Sequence, residues 1–212
     1  MESRSLHISL KNNPSISVKV ISGHFTTSSS HMSHYVDVSS LKSSSAAARA
    51  VAKEMALPYL TSTLVETIIC MERMEVIGAY LAEELLRGGY TSVCGGDINV
   101  ITPINNGLGS LYFQSSTVKC LLNKHIVLLV TSITSGRTLD SALDCISYYG
   151  GKLAGISSLF LASPEKHEQS INSLFTSEDI PGYTIYRSRK CELCGSGKKL
   201  NALISSEGYT KL

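Results

Sequence analysis

One segment constrains this chain more than any other. The apolar run Ile126-Val127-Leu128-Leu129-Val130 leads through Thr134-Ser135-Gly136-Arg137-Thr138 into a helix-forming stretch that ends at Gly150-Gly151. The run suits a strand covered on both faces and is far too short to span a bilayer. Gly136 allows a positive φ and a close approach of backbone to ligand. Successive amides at such a turn form an anion nest, and the next helix adds the positive end of its dipole. Thr134, Ser135 and Thr138 supply hydroxyl donors, while Arg137 either adds charge or faces solvent. Two readings fit these residues: a phosphate-binding turn, or an ordinary strand-to-helix turn capped by Thr and Ser.

The flanking sequence repeats the alternation. Leu64 to Met71 reads as a buried strand, and Glu75 to Arg87 as an amphipathic helix stopped by Gly88-Gly89. Asn99 to Thr102 is a short strand ended by Pro103. Asn105-Asn106-Gly107 is a turn from which Leu111 to Phe113 returns as a hairpin. Arg137 to Tyr149 is a helix, Leu153 to Leu161 an apolar strand and Tyr183 to Tyr186 a last short one. Strands alternating with helices predict an α/β fold with a mostly parallel central sheet flanked by helices. Ligands of such sheets bind beyond the C-terminal strand ends, often at a topological switch point.

The start of the chain differs. Ser17 to Ser22 and Ser33 to Val38 alternate weakly as half-buried strands around a polar loop, Thr26 to His31. Ser43 to Ser45 offer caps for an Ala-rich helix that ends near Pro58. The expected organisation is a segment 1–42, a core 43–165 and a C-terminal extension 166–212, all within one compact domain.

The formal net charge is only +2, which argues against a dedicated nucleic-acid binder. Arg187, Arg189, Lys190, Lys198 and Lys199 form a local basic run that reads as solvated surface. The N-terminus lacks an apolar signal region, so no membrane is expected and a cytoplasmic location is the default. In a reducing compartment the six cysteines are not expected to form structural disulfides. Cys70, Cys94, Cys120 and Cys145 lie in or beside apolar segments as small core residues.

The stretch His125 to Ile156 resembles the phosphoribosyl diphosphate (PRPP) signature of the type I phosphoribosyltransferases. In that family a hydrophobic strand leads into two acidic residues, then a T-T-G-x-T-like loop and a helix. The resemblance implies a ribose 5′-phosphate site at Thr134, Ser135, Gly136, Arg137 and Thr138. Gly23 to Asp37 is similar to the segment of orotate phosphoribosyltransferases that contributes to a hood over the base. That places Ser29, Ser30, Tyr35 and Asp37 near a base pocket, although Asp37 also reads as a plain strand-end hydrogen-bonding group. Together the matches span most of residues 16–162. Membership implies a phosphorylated small-molecule ligand, Mg²⁺ for an active enzyme, and a homodimer.

Three departures from that pattern bear on activity. The positions of the acidic pair fall on Val130 and Thr131, or with a shift of one residue on Thr131 and Ser132, and none of these supplies the negative charge that would face the ribose. The loop Thr102 to Gln114, where the family carries basic residues over the diphosphate, has none. The diphosphate loop after Ile68 reads Cys70-Met71-Glu72-Arg73-Met74-Glu75. Arg73 could contact an anion; Glu72 and Glu75 would oppose one or favour the next helix N-terminus. Three functions remain compatible: a ribose 5-phosphate binder, an active PRPP-dependent pentosyltransferase making a nucleoside 5′-monophosphate, or a nucleotide-sensing or dimerisation module.

Cys191-Glu-Leu-Cys194, followed by Gly195-Ser196-Gly197, resembles half of a zinc knuckle. A plain tight turn and a redox pair are the other readings. Four ligands are the norm, and only tertiary structure could bring a third and fourth, for example Cys120, His167 or a second copy of the knuckle. His24, His31 and His34 cluster near the N-terminus. They either bind a metal or contact ligand or water.

Overall fold

The computed structural model describes residues 5–88, 96–106, 110–163, 169–205 and 208–212. Cys94 and His167 lie outside them, as do Gly89 and Gly107 of the expected turns.

The central sheet is fully parallel. Its strands are β4 (Thr67–Cys70), β5 (Asn99–Ile101), β8 (His125–Ile133), β9 (Lys152–Leu161) and β10 (Ile171–Thr176), in the spatial order β10-β9-β8-β4-β5. β5, the next strand of this sheet in the chain, thus lies on one side of β4, and β8, β9 and β10 on the other. The order reverses between β4 and β8, which makes their C-terminal ends the switch point of the sheet.

Both faces of this sheet are covered, as its near-continuous apolar strands require. On β8, Val127 and Leu129 point into one core with Ile68 and Cys70 of β4; Ile126, Leu128 and Val130 point into the other with Ile69 and Met71. The first core is closed by α2 (Ser45–Ala56) and α3 (Glu75–Gly88), the second by α4 (Arg137–Tyr148). Helix α2 buries Ala48, Val51, Ala52 and Met55, one apolar stripe at helical spacing, and Ser44 caps it by accepting the Ala47 N–H. Helix α4 buries Leu139, Ala142, Cys145 and Ile146. Each fully buried aliphatic side chain of these cores contributes about 1.5–3 kcal/mol.

A second sheet is built from both ends of the chain. β1 (Ser5–Leu10), β2 (Asn13–Thr26) and β3 (Ser30–Asp37) form antiparallel pairs. β11 (Ile185–Arg187) adds to β3, β12 (Ala202–Ser205) runs parallel to β2, and β13 (Gly208–Lys211) pairs with β12. The strands expected at 17–22 and 33–38 are therefore longer, and the loop between them shortens to Thr27–Ser29. Ile16, Val18 and Val20 of β2 join the first core, together with Leu41 of the short helix α1 (Ser39–Ser43). Its own small cluster holds Ile21, Phe25, Met32 and Ala202.

The short hairpin β6 (Ile104–Asn105) and β7 (Leu111–Tyr112) forms as the Asn-Asn-Gly turn predicts. A one-turn helix, α5 (Glu192–Gly195), carries Cys194 and has Cys191 at its N-cap. No helix among the described residues is long and apolar enough to cross a membrane.

Candidate functional site

A cavity of about 1090 Å³ opens over the switch point. Its floor is the C-terminal ends of β4 and β8, with Cys70, Met71 and Glu72 from one and Ser132 from the other. Thr134, Ser135, Arg137 and Thr138 form one wall. The second sheet forms the opposite wall through Ser28, Ser29 and Tyr35, with Leu203 and Ile204 of β12 beside them.

The Thr134–Thr138 turn has the backbone that its sequence demands. Gly136 takes φ +82°, a left-handed conformation that side chains disfavour, and serves as the N-cap of α4. No side chain caps this helix. A glycine N-cap without a side-chain acceptor leaves first-turn amides for an external partner. Gly136 is buried, while Ser135, Arg137 and Thr138 are exposed toward the cavity. Asp140, also in the first turn, faces the same space and brings a negative charge that favours the helix and opposes an anion.

The turn after β4 is unusual. Glu72 and Arg73 both have positive φ, 52° and 66°, a backbone state that costs non-glycine residues of order 1–3 kcal/mol each. Three contacts hold it. Lys42 Nζ donates to the Glu72 carbonyl at 2.8 Å, the Thr131 hydroxyl donates to the same carbonyl at 3.1 Å, and the Thr131 N–H donates to Glu72 Oε2 at 3.2 Å. Lys42 also donates to Thr131 Oγ1 at 3.2 Å. Burial raises the Glu72 carboxyl above its ordinary pKa, against the opposing pull of Lys42 and the amides of Thr131 and Ser132.

Of the helix-start reading of this loop, Glu75 alone keeps its part. It lies in the first turn of α3 and accepts from Thr102 Oγ1 at 2.9 Å. The Glu72 carboxyl turns instead to the end of β8. Arg73 is exposed and does not line the cavity.

Val130 is fully buried in the second core, and the Thr131 side chain is taken up by Glu72 and Lys42. Neither offers a carboxylate, so the end of β8 does not fit a Mg²⁺ ion held by that strand.

On the opposite wall, Tyr35 packs against Phe25 and Tyr209, and burial first, then Asp37 and Tyr209, push its hydroxyl up to about 12. It stays a protonated donor. His34 stacks on Tyr183, and burial followed by Lys198 lowers its pKa. The Tyr183 hydroxyl is buried without a hydrogen-bond partner among the described residues, and the residue is among those that border the cavity. Sequence reasoning missed this group, since nothing local to Gly182-Tyr183-Thr184 marks it.

Ser29 lines the cavity, whereas Ser30 is buried and gives its N–H to Thr27 Oγ1. Asp37 accepts from the N–H and hydroxyl of Ser39 and does not line the cavity. Cys191 and Cys194 lie away from it, beside His24 and His31. Cys120 is not with them; its thiol points to Asn99 Oδ1.

No family model matches this chain, and no curated protein matches it. Solved structures do. Adenine phosphoribosyltransferase from Leishmania donovani superposes with a TM-score of 0.51 at 12% identity, over 71% of this chain and 73% of that one. Leishmania donovani UMP synthase gives 0.56 at 16%, over 76% of this chain and 34% of that one. Adenine phosphoribosyltransferase from Trypanosoma brucei, in complex with AMP, pyrophosphate and ribose-5-phosphate, gives 0.51 at 12%, over 85% and 80%. At these identities the likeness establishes the fold, an α/β fold of the type I phosphoribosyltransferase kind with a central parallel sheet flanked by helices.

Proposed function

We propose that this chain is an orotate phosphoribosyltransferase-like protein that binds a ribose 5-phosphate moiety, in PRPP or a nucleotide, better than it turns PRPP over. One observation carries the reading: the uncapped start of α4, set by left-handed Gly136, faces a cavity at the switch point of a parallel sheet. The 5′-phosphate would sit on the amides and hydroxyls of Thr134 to Thr138, with Arg137 adding charge. The ribose would lie over the ends of β4 and β8. The base would reach the wall of Ser29, Tyr35 and Tyr183. The Trypanosoma brucei structure, with its phosphorylated ligands, supports a small phosphorylated ligand for this fold.

Binding is favoured over turnover on electrostatic grounds. A positive charge developing on the ribose would meet no carboxylate at Val130 or Thr131, and a leaving diphosphate would meet no cation in the described part of the β6–β7 hairpin. Calorimetry with nucleoside monophosphates, PRPP and orotate, with and without Mg²⁺, tests this. Monophosphate binding that does not need Mg²⁺ is the expected result. PRPP-dependent consumption of orotate at ordinary enzyme rates would overturn it.

The position of Glu72 favours a second reading, an active pentosyltransferase. Its carboxyl lies 3.2 Å from the Thr131 amide, so the β4 loop delivers an acid to the strand end that lacks its own. Under this reading PRPP binding depends on Mg²⁺ and on Glu72.

A further inference from the structure

The fold brings two ends of the chain together at four side chains. His24 of β2, His31 of β3, and Cys191 and Cys194 at α5 place one nitrogen or sulfur each within 4.8 Å of one another. The geometry points to a structural zinc site formed by these four residues, independent of what the cavity binds.

The spacing is close to that of a tetrahedral shell, with the two nitrogens a few tenths of an ångström nearer than a bound ion would hold them. His24 Nε2 lies 3.0 Å from His31 Nδ1, 3.4 Å from Cys191 Sγ and 3.7 Å from Cys194 Sγ; Cys194 Sγ lies 3.3 Å from His31 Nδ1. Zinc bonds of about 2.3 Å to sulfur and about 2.0–2.1 Å to nitrogen span tetrahedral edges of roughly 3.3–3.8 Å.

Hydrogen bonding alone does not account for the convergence. His24 Nδ1 lies 2.7 Å from the Lys198 carbonyl, which can only accept, so Nδ1 carries the proton. Nε2 then has one lone pair, aimed into a space where three other groups meet. A cation satisfies all of them at once. The Nδ1–H to carbonyl bond is also the partner that metal-bound histidines commonly have.

The local structure is built for this. Between Ser22 and Phe25 the register of β2 against β3 shifts, and His24 sits in that irregularity, fully buried. Thr26 is the direct partner of His31, so His24, two residues earlier, is its diagonal neighbour. Asn201 fixes the main chain of His24 from both sides: its side chain accepts the His24 N–H and its N–H donates to the His24 carbonyl, each at 2.8 Å. On the other side, Gly195 N–H returns to Cys191 O and Gly197 N–H to Cys194 O, the latter glycine at φ +74°. That turn holds both thiols on one side.

Two thiolates balance the charge of Zn²⁺, and two imidazoles complete a shell with no open position. This donor set selects zinc as a structural rather than a catalytic ion. The ion would join β2, β3 and the segment leading to β12. The loop Thr27–Ser29, which overhangs the cavity, lies between the two histidines.

The test uses the full-length chain, grown with zinc and purified without chelator. Elemental analysis should find about one zinc per chain, and X-ray absorption should show two sulfur and two nitrogen neighbours. Cys191→Ser, Cys194→Ser and His31→Ala should each lower the zinc content by roughly fivefold or more, while Cys120→Ser should leave it unchanged. Should the variants be insoluble, the absorption spectrum of the unaltered chain decides. A metal-free protein that takes up neither zinc nor cobalt after thiol reduction, a Cys191–Cys194 disulfide in the native protein, or a shell without two sulfurs overturns the proposal.

Discussion

The Thr131 N–H donates to Glu72 Oε2 at 3.2 Å, joining the end of β8 to a left-handed turn after β4. The two strands flank the topological switch point, so this bond fixes the floor of the cavity. It also places a half-buried acid where the neighbouring strand has none.

Glu72→Gln keeps an oxygen for the Thr131 amide and removes the charge. Burial raises the folded pKa of Glu72 above its unfolded value, so its contribution is favourable at low pH and is lost as pH rises through the folded pKa. The variant should therefore be somewhat more stable than the parent near pH 7, and the gain should vanish below the ordinary carboxylate range. Urea unfolding at several pH values measures this. Any Mg²⁺-dependent PRPP turnover should fall by roughly tenfold or more.

Lys42→Met removes the donor to both the Glu72 carbonyl and Thr131 Oγ1. It also leaves the Glu72 carboxyl without its nearby positive charge. A loss of about 1–2 kcal/mol in unfolding free energy is expected, since hydrogen bonds from a charged donor are worth about 1.5–3 kcal/mol and this one is partly solvated. Chemical denaturation at neutral pH checks it.

Gly136→Ala forces a side chain into φ +82°. The expected cost is about 1–2 kcal/mol in stability. If the turn cradles a phosphate, monophosphate affinity should drop by roughly tenfold or more, because the amides move with the backbone. Isothermal calorimetry with a nucleoside monophosphate reads the second effect, and thermal unfolding the first.

Glu66 gives the opposite pH signature to Glu72. Its carboxylate accepts from Lys124 Nζ at 2.8 Å and from the His125 N–H at 3.0 Å. Chiefly through Lys124, then His125, its pKa is lowered to about 2. The stability it confers is present above the unfolded value of 4.5 and is lost as pH falls toward 2. Glu66→Gln should cost about 1–2 kcal/mol at pH 7, discounted for partial solvent exposure. Parent and variant should converge in acid. Unfolding curves across that range test the sign.

Local pattern made the central unit legible. Residues 125–148 alternate between two cores and then follow one helical stripe, and a lone glycine between them can adopt the left-handed turn that both require. The helices α2 and α3 were equally plain, because caps, alanines and apolar spacing lie within one or two turns. β1, β10, β12 and β13 are not legible in the sequence, since they are short, polar-rich or half exposed, and only their sheet partners define them.

The sequence by itself determined the strand–turn–helix over residues 125–148, because each part depends on neighbours a few residues away. Tertiary structure alone decided which residues meet across the fold. Glu72 reaches Thr131, 59 positions on, and His24 lies against Cys191, 167 positions away. Such meetings follow from strand order and register, which arise when two sheets and their helices bury a common core, and no periodicity along the chain encodes them.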